Sequence, residues 1–167
     1  MRIKNNMLNS KLPQLEKNLK HIILSYLIVL GIGMSVGLLY VSLTSEMNPS
    51  GMIERYLGND DPWEPKLEKS LIDLVSHVHD HITMFSIVFL SVSIIFNQTS
   101  TIGGFWKKFL MIEPFFSIVV TFLGFFILRY ITPDFAYIIM LSSGVMYIAF
   151  YVMLFISIYE LIFIKEN

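Results

Sequence analysis

Residues 22–43 read IILSYLIVLGIGMSVGLLYVSL, and this stretch decides the fold class. It holds no charged side chain. A helix crosses the hydrocarbon core of a bilayer in about 20 apolar residues. An isolated run of that length crosses as a helix, because an open strand leaves its backbone groups unpaired in lipid. Three further runs read the same way. The second extends from about Ile82 to Phe96, or from His77 if histidines enter the interface. The third extends from about Phe115 to Leu128, and the fourth from about Phe135 to Ile158. The second and third are short by count, and a few interfacial residues complete them. The expected fold is an all-α integral membrane four-helix bundle, a single membrane domain over residues 1–167.

Composition agrees. The chain is 54 % hydrophobic and 15 % charged, with a mean hydropathy of +0.64, whereas soluble domains carry about 25 % charged residues. The net charge of −1 offers nucleic acid no basic surface. Cysteine is absent, which excludes disulfides, thiolate metal sites, iron–sulfur clusters and covalent c-type haem attachment.

Lysine and arginine set the orientation. Arg2, Lys4, Lys11, Lys17 and Lys20 precede the first span, Lys107 and Lys108 lie between the second and third, and Lys165 follows the fourth. Arg55, Lys66, Lys69 and Arg129 fall on the other side. The excess predicts both termini in the cytoplasm and residues 44–76 outside, as expected for a bacterial inner (cytoplasmic) membrane protein. The first span is longer than a secretory hydrophobic region and lacks a small-x-small cleavage site, so it reads as an uncleaved signal anchor. Residues 1–20 form a basic cytoplasmic segment, in which LPQLEKNLKHIIL has the makings of a surface helix.

The outer loop is the one sizeable polar segment. Pro49, Ser50 and Gly58 bracket a short helix over Met52–Leu57. Beyond NDDPWEP, Leu67, Leu71, Leu74, Val75 and Val78 recur at helical spacing, and no proline or glycine interrupts the chain from Lys66 to Phe96. The expectation is one continuous helix entering the second span. From Glu46 to Asp73 the loop holds seven acids against three bases, a charge suited to a basic soluble partner such as a small electron carrier.

Three of the four histidines fall in SHVHDHI, residues 76–82. On a helix His77 and His81 share a face, continued by Asp73, Asp80 and Met84. His79 points the other way, with Ser76, Thr83, Ser86 and Ser93. Neither stripe suits lipid, so neighbouring helices are expected around this rod. Two imidazoles at i, i+4, with Asp73 or Asp80 joining, suit a zinc, copper or iron ion. Asp73 is placed to accept the second ring N–H of His77. A b-type haem is the other guest, with His77, His79 or His81 on one side of the iron and, on the other, Met140 at a matching depth or a histidine of a second subunit. Arg129 would then pair with a propionate. The plain alternative is that amphipathic imidazoles are tolerated at an interface without a guest.

Gly33-x-x-x-Gly37, with Gly31 and Ser35, permits close helix approach, either within the chain, to another membrane subunit or in a homodimer. Ser142, Ser143 and Gly144 do the same for the fourth span. Glu113 and Glu160 lie near enough to the cytoplasmic boundary to reach water. Arg129 and Asp134 flank an outer turn and are expected to pair. No nucleotide-binding, nucleophile-elbow or zinc-protease motif is present, and no reaction is named.

ERYLG in the outer loop, SHVH opening the second span and ISIYEL in the fourth together resemble a group of small bacterial four-span membrane proteins with a His-Val-His pair. The likeness covers most of the chain and singles out His77 and His79. It implies the architecture and no particular chemistry. Two functions follow as expectations: a small subunit with a haem or metal site near the outer face serving electron transfer, or a cofactor-free accessory subunit of a larger membrane complex.

Overall fold

A computed structural model describes residues 11–164. Arg2, Lys4 and Lys165 of the topology argument, and the first half of the basic segment 1–20, lie outside the described residues. Five α-helices follow a 3-10 turn at Leu12–Gln14: α1 Lys17–Ser45, α2 Pro49–Leu57, α3 Leu71–Asn97, α4 Gly104–Tyr130 and α5 Phe135–Phe163. Four of these, α1, α3, α4 and α5, are long and apolar enough to cross a bilayer. The all-α membrane bundle expected from hydropathy is the fold.

Local chemistry sets the boundaries. Glu46 and Met47 adopt left-handed backbone (φ 53° and 50°) and turn the chain from α1 into α2. The Asn48 side chain accepts the Gly51 N–H at 2.6 Å and Pro49 occupies the first turn, so α2 starts three residues earlier than the sequence suggested. Gly58 ends it at φ +84°, a conformation that glycine adopts without strain. Its N–H bonds the Glu54 carbonyl.

The continuous helix expected to enter the second span is formed as α3, but it starts at Leu71 rather than near Lys66. The Asn59 N–H donates to the Lys66 carbonyl, and the Lys69 N–H donates to the Tyr56 carbonyl. Both bonds hold the segment extended, and Ser70 then caps α3 by accepting the Asp73 N–H at 3.1 Å. At the other end of the bundle, α4 runs through Pro114 and begins at Gly104, well before the expected start of the third span. The segment expected as a surface helix, LPQLEKNLKHIIL, is instead a 3-10 turn with Leu12, Pro13 and Leu15 buried, followed by the first turns of α1 from Lys17.

The packed centre is the α3–α4–α5 trio. Phe89, Phe96, Ile118, Leu128, Ile139, Met146, Phe150 and Met153 are buried among these helices. A Cβ on Gly124 would stand 2.9 Å from both Ile139 and the Phe135 ring, so glycine alone permits the α4–α5 crossing at that distance. Thr121 donates to Ser142 Oγ, which donates to the Ser117 carbonyl, each at 3.1 Å. Of the small residues of the fourth span, Ser142 thus meets α4, whereas Ser143 bonds back to the Met140 carbonyl of its own helix and a Cβ on Gly144 would meet nothing within 4 Å.

α1 is attached differently. Tyr26 Oη meets Ser91 Oγ at 2.5 Å, Ser35 Oγ meets Tyr151 Oη at 2.8 Å, and Arg55 donates to Tyr40 Oη at 3.3 Å. Between these points lie apolar crevices of about 310 Å³ against α3 and about 450 Å³ against α5. Gly31 packs against Leu154 of α5, whereas a Cβ on Gly33 would meet nothing within 4 Å.

The end carrying the termini is closed by charge. Glu160 is 0 % exposed, which corrects the expectation that it reaches water. Its carboxylate accepts the Ser100 and Thr101 N–H groups at 2.6 Å each and the Ser100 hydroxyl at 3.3 Å. Lys107 donates to the Asn97 and Thr99 carbonyls, and Lys11 to the Thr99 carbonyl. The Leu12 N–H reaches the Gln98 carbonyl, so the N-terminal segment joins the same closure. Glu113 is likewise not in open water: Ser117 donates to one carboxylate oxygen, and the other is buried.

Candidate functional site

The opposite end of the trio holds an imidazole pair in an aromatic surround. His77 and His81 sit one turn apart on α3, with ring centroids 4.0 Å apart and planes inclined by 41°. Helical geometry alone brings them together. Tyr56 reaches them from α2 and shares a 3.2 Å hydrogen bond with His77 Nε2. Phe125 stacks on the Tyr56 ring at 4.4 Å, and Phe122 approaches His81 at 5.3 Å. Phe85 stacks on His81 from the next turn of α3 at 6.0 Å. Met52 and Tyr56 are the buried positions of α2. Their i, i+4 spacing seats this short helix on the bundle.

The hydrogen bonds decide which ring atoms are occupied. His81 Nδ1 lies 2.8 Å from the His77 carbonyl. A carbonyl only accepts, so Nδ1 carries the proton, and in the neutral ring Nε2 is left with a lone pair. Burial pushes the Tyr56 phenol well above its ordinary range, so it stays protonated and able to donate to His77 at neutral pH.

The other expected site residues fall elsewhere. Asp73 does not serve His77; Ser70 donates to its carboxylate at 2.7 Å and accepts its N–H, a reciprocal helix cap. Asp80 and His79 are exposed, and so are Ser76 and Thr83. Ser76, His79 and Thr83, the outer half of the second stripe, therefore face outward, against the expectation that neighbours surround the rod, whereas Ser86 is half-buried and Ser93 is buried and donates to the Met111 carbonyl of α4. Met140 packs in α5 against the hydrophobic core. Arg129 pairs with Glu68 at 2.7 Å rather than with Asp134, and it donates to the Lys69 carbonyl at 3.3 Å. Among the described residues, no group of three or more His, Asp or Glu side chains converges as for a metal ion.

Tyr56 was not singled out by sequence reading. It stands in the ERYLG segment, but only its i, i+4 relation to Met52 hinted at burial, and nothing local named His77 as its partner. The Glu160 closure was also missed. Its signal was an acid on an otherwise apolar helix face, together with a serine- and threonine-rich turn of free amides.

The model of the Aq_1264_TM family, described as a transmembrane helical domain, matches residues 46–167. The match begins one residue after α1 ends. No curated protein and no solved structure matches the chain. With four bilayer-length helices, this is an integral membrane protein.

Proposed function

The chain belongs to this transmembrane helical domain family, and from that premise we propose a small subunit of the bacterial inner membrane whose outer-end imidazole pair binds a transition-metal ion for electron transfer. The observation that carries the reading is the His81 hydrogen bond to the His77 carbonyl. It fixes the tautomer in the way a backbone carbonyl orients metal-ligating histidines, and it leaves Nε2 as a nitrogen donor beside a second imidazole. Such donors suit copper, zinc or iron, and electron transfer selects copper or iron. Tyr56 engages His77 Nε2, so His77 joins His81 as a ligand through that nitrogen only when this hydrogen bond opens.

Between the two guests, a bare ion fits better than haem b. Arg129, the propionate partner that haem would use, is held by Glu68 and the Lys69 carbonyl. Phenylalanine rings occupy the space around His81. The experiment is an absorption spectrum with elemental analysis on protein purified in mild detergent. Stoichiometric copper or iron that disappears in His81→Gln supports the proposal. A Soret band lost in His77→Ala would restore the haem form.

A second reading has its own observation. α1 touches the trio at a few points, is flanked by apolar crevices, and lies outside the matched family segment. An accessory subunit that joins a larger complex through α1 fits that arrangement. A colourless, metal-free protein that co-purifies with other membrane subunits, and loses them when Gly33 is replaced by Leu, supports it.

A further inference from the structure

The loop between α2 and α3 holds an indole where no packing within the chain demands one. Trp63 is 91 % exposed, and so is Leu67. The segment is nonetheless well hydrogen-bonded. The Asn59 N–H donates to the Lys66 carbonyl at 3.0 Å and the Lys66 N–H to Asn59 Oδ1 at 2.7 Å, which closes residues 59–66 around one antiparallel bridge. At the tip, the Asp61 carboxylate accepts the Trp63 N–H at 2.8 Å and the Glu64 N–H at 3.4 Å. Pro62 and Pro65 fix φ on either side of the tryptophan and its neighbour. The base is tied to α2 by the 2.7 Å Glu54–Lys66 pair. An aromatic on a frame already ordered loses little freedom when a partner covers it, and buried tryptophans anchor many protein interfaces.

Charge identifies the kind of partner. Asp60, Asp61 and Glu64 surround Trp63 in sequence and are exposed. Among the described residues, the loop's ion pairs engage Glu54 and Glu68 instead. Membrane interfaces take indoles, but the exposed carboxylates of Asp60, Asp61 and Glu64 beside Trp63 find no counter-charge at an anionic or uncharged lipid surface, so a basic protein covers this indole better than a bilayer does. We infer that Trp63 anchors a docking surface for a soluble protein on the outer side, one that offers an apolar pocket rimmed by lysine and arginine. The indole fills the pocket, Leu67 widens the apolar contact, and Asp60, Asp61 and Glu64 pair with the rim. No residue is shared with the imidazole pair, so this surface stands or falls independently of the metal reading.

The test keeps Trp63 and places the photoreactive residue p-benzoylphenylalanine at Leu67, in cells that naturally make the protein. Irradiation is followed by mass spectrometry of the adduct. The expected adduct is a soluble protein joined through a peptide containing lysine or arginine. It disappears in Trp63→Ala and falls about tenfold when Asp60→Asn, Asp61→Asn and Glu64→Gln are combined, the loss expected when steering charges are removed. Adducts only with phospholipid, only with another copy of this chain, or none at all overturn the inference. So does a protein adduct whose yield is the same in Trp63→Ala. Trp63 is exposed, so Trp63→Ala leaves the thermal unfolding midpoint unchanged. Asp61→Asn keeps an Oδ1 acceptor for the Trp63 and Glu64 amides, so an unchanged midpoint in the triple variant separates loss of docking from loss of fold.

Discussion

The two ends of the α3–α4–α5 trio both bury polar groups, and they do so in opposite ways. At the end carrying the termini, the Glu160 carboxylate accepts two amides and a hydroxyl, while lysines cover the neighbouring carbonyls. At the other end, His77 and His81 touch each other, Tyr56 and phenylalanine rings, and among the described residues nothing hydrogen-bonds His81 Nε2. A buried carboxylate is costly unless its oxygens are bonded, so the first arrangement is what stability requires. The second leaves a donor nitrogen that the fold does not use. The contrast separates a closure that holds the bundle together from a site with chemistry to spare.

The largest expected effect breaks the closure. Glu160→Ala orphans the Ser100 and Thr101 amides and leaves a void, at a cost of about 3 kcal/mol. Thermal unfolding in detergent reads this as a lowered midpoint. Leu12→Ala removes a fully buried side chain from the same closure, with an expected loss of about 2 kcal/mol. Trypsin cleavage near Lys17 and Lys20 should quicken in parallel. At the imidazole end, Tyr56→Phe deletes one hydrogen bond and keeps the ring stacked on Phe125, so about 1 kcal/mol is expected in the same unfolding experiment. His81→Gln preserves size at a half-buried position, and about 0.5 kcal/mol is expected.

The smallest effect lies between α2 and the loop that follows it. Lys66 donates to Glu54 and, with Asn59, holds its carboxyl below the usual range, while the Lys66 ammonium is raised in return. A depressed carboxylate contributes stability above its unfolded pKa, and that contribution is lost as pH falls through the folded value. Both groups are exposed, so the loss between neutral and acid pH should be barely measurable. Comparing Glu54→Gln with the parent across that range checks it: the two unfolding curves should converge at low pH.

Which parts of this were legible in the sequence follows from the range of the forces involved. The four spans were readable because hydropathy is a property of each run alone. The His77–His81 pairing was readable because 100° per residue is fixed by the helix. The choice Asp73 made was local but balanced: the same carboxylate could reach His77 or cap the helix with Ser70, and the cap won because α3 starts at Leu71. Tyr56 meets His77 across 21 positions, and Glu160 meets Ser100 across 60. No periodicity announces either contact. The sparse attachment of α1 was also hidden, since its small residues promised close packing and only Gly31 achieves it in a tight contact.

Metal retention, measured beside stability, tests the central claim most directly. Purified parent protein and His81→Gln are exposed to copper and to iron(II), the latter without oxygen, and dialysed, and bound metal is quantified together with the unfolding midpoint of each. The account predicts a stoichiometric ion in the parent, none in the variant, and nearly equal midpoints for the two metal-free forms. Equal retention in both, or none in either, contradicts it.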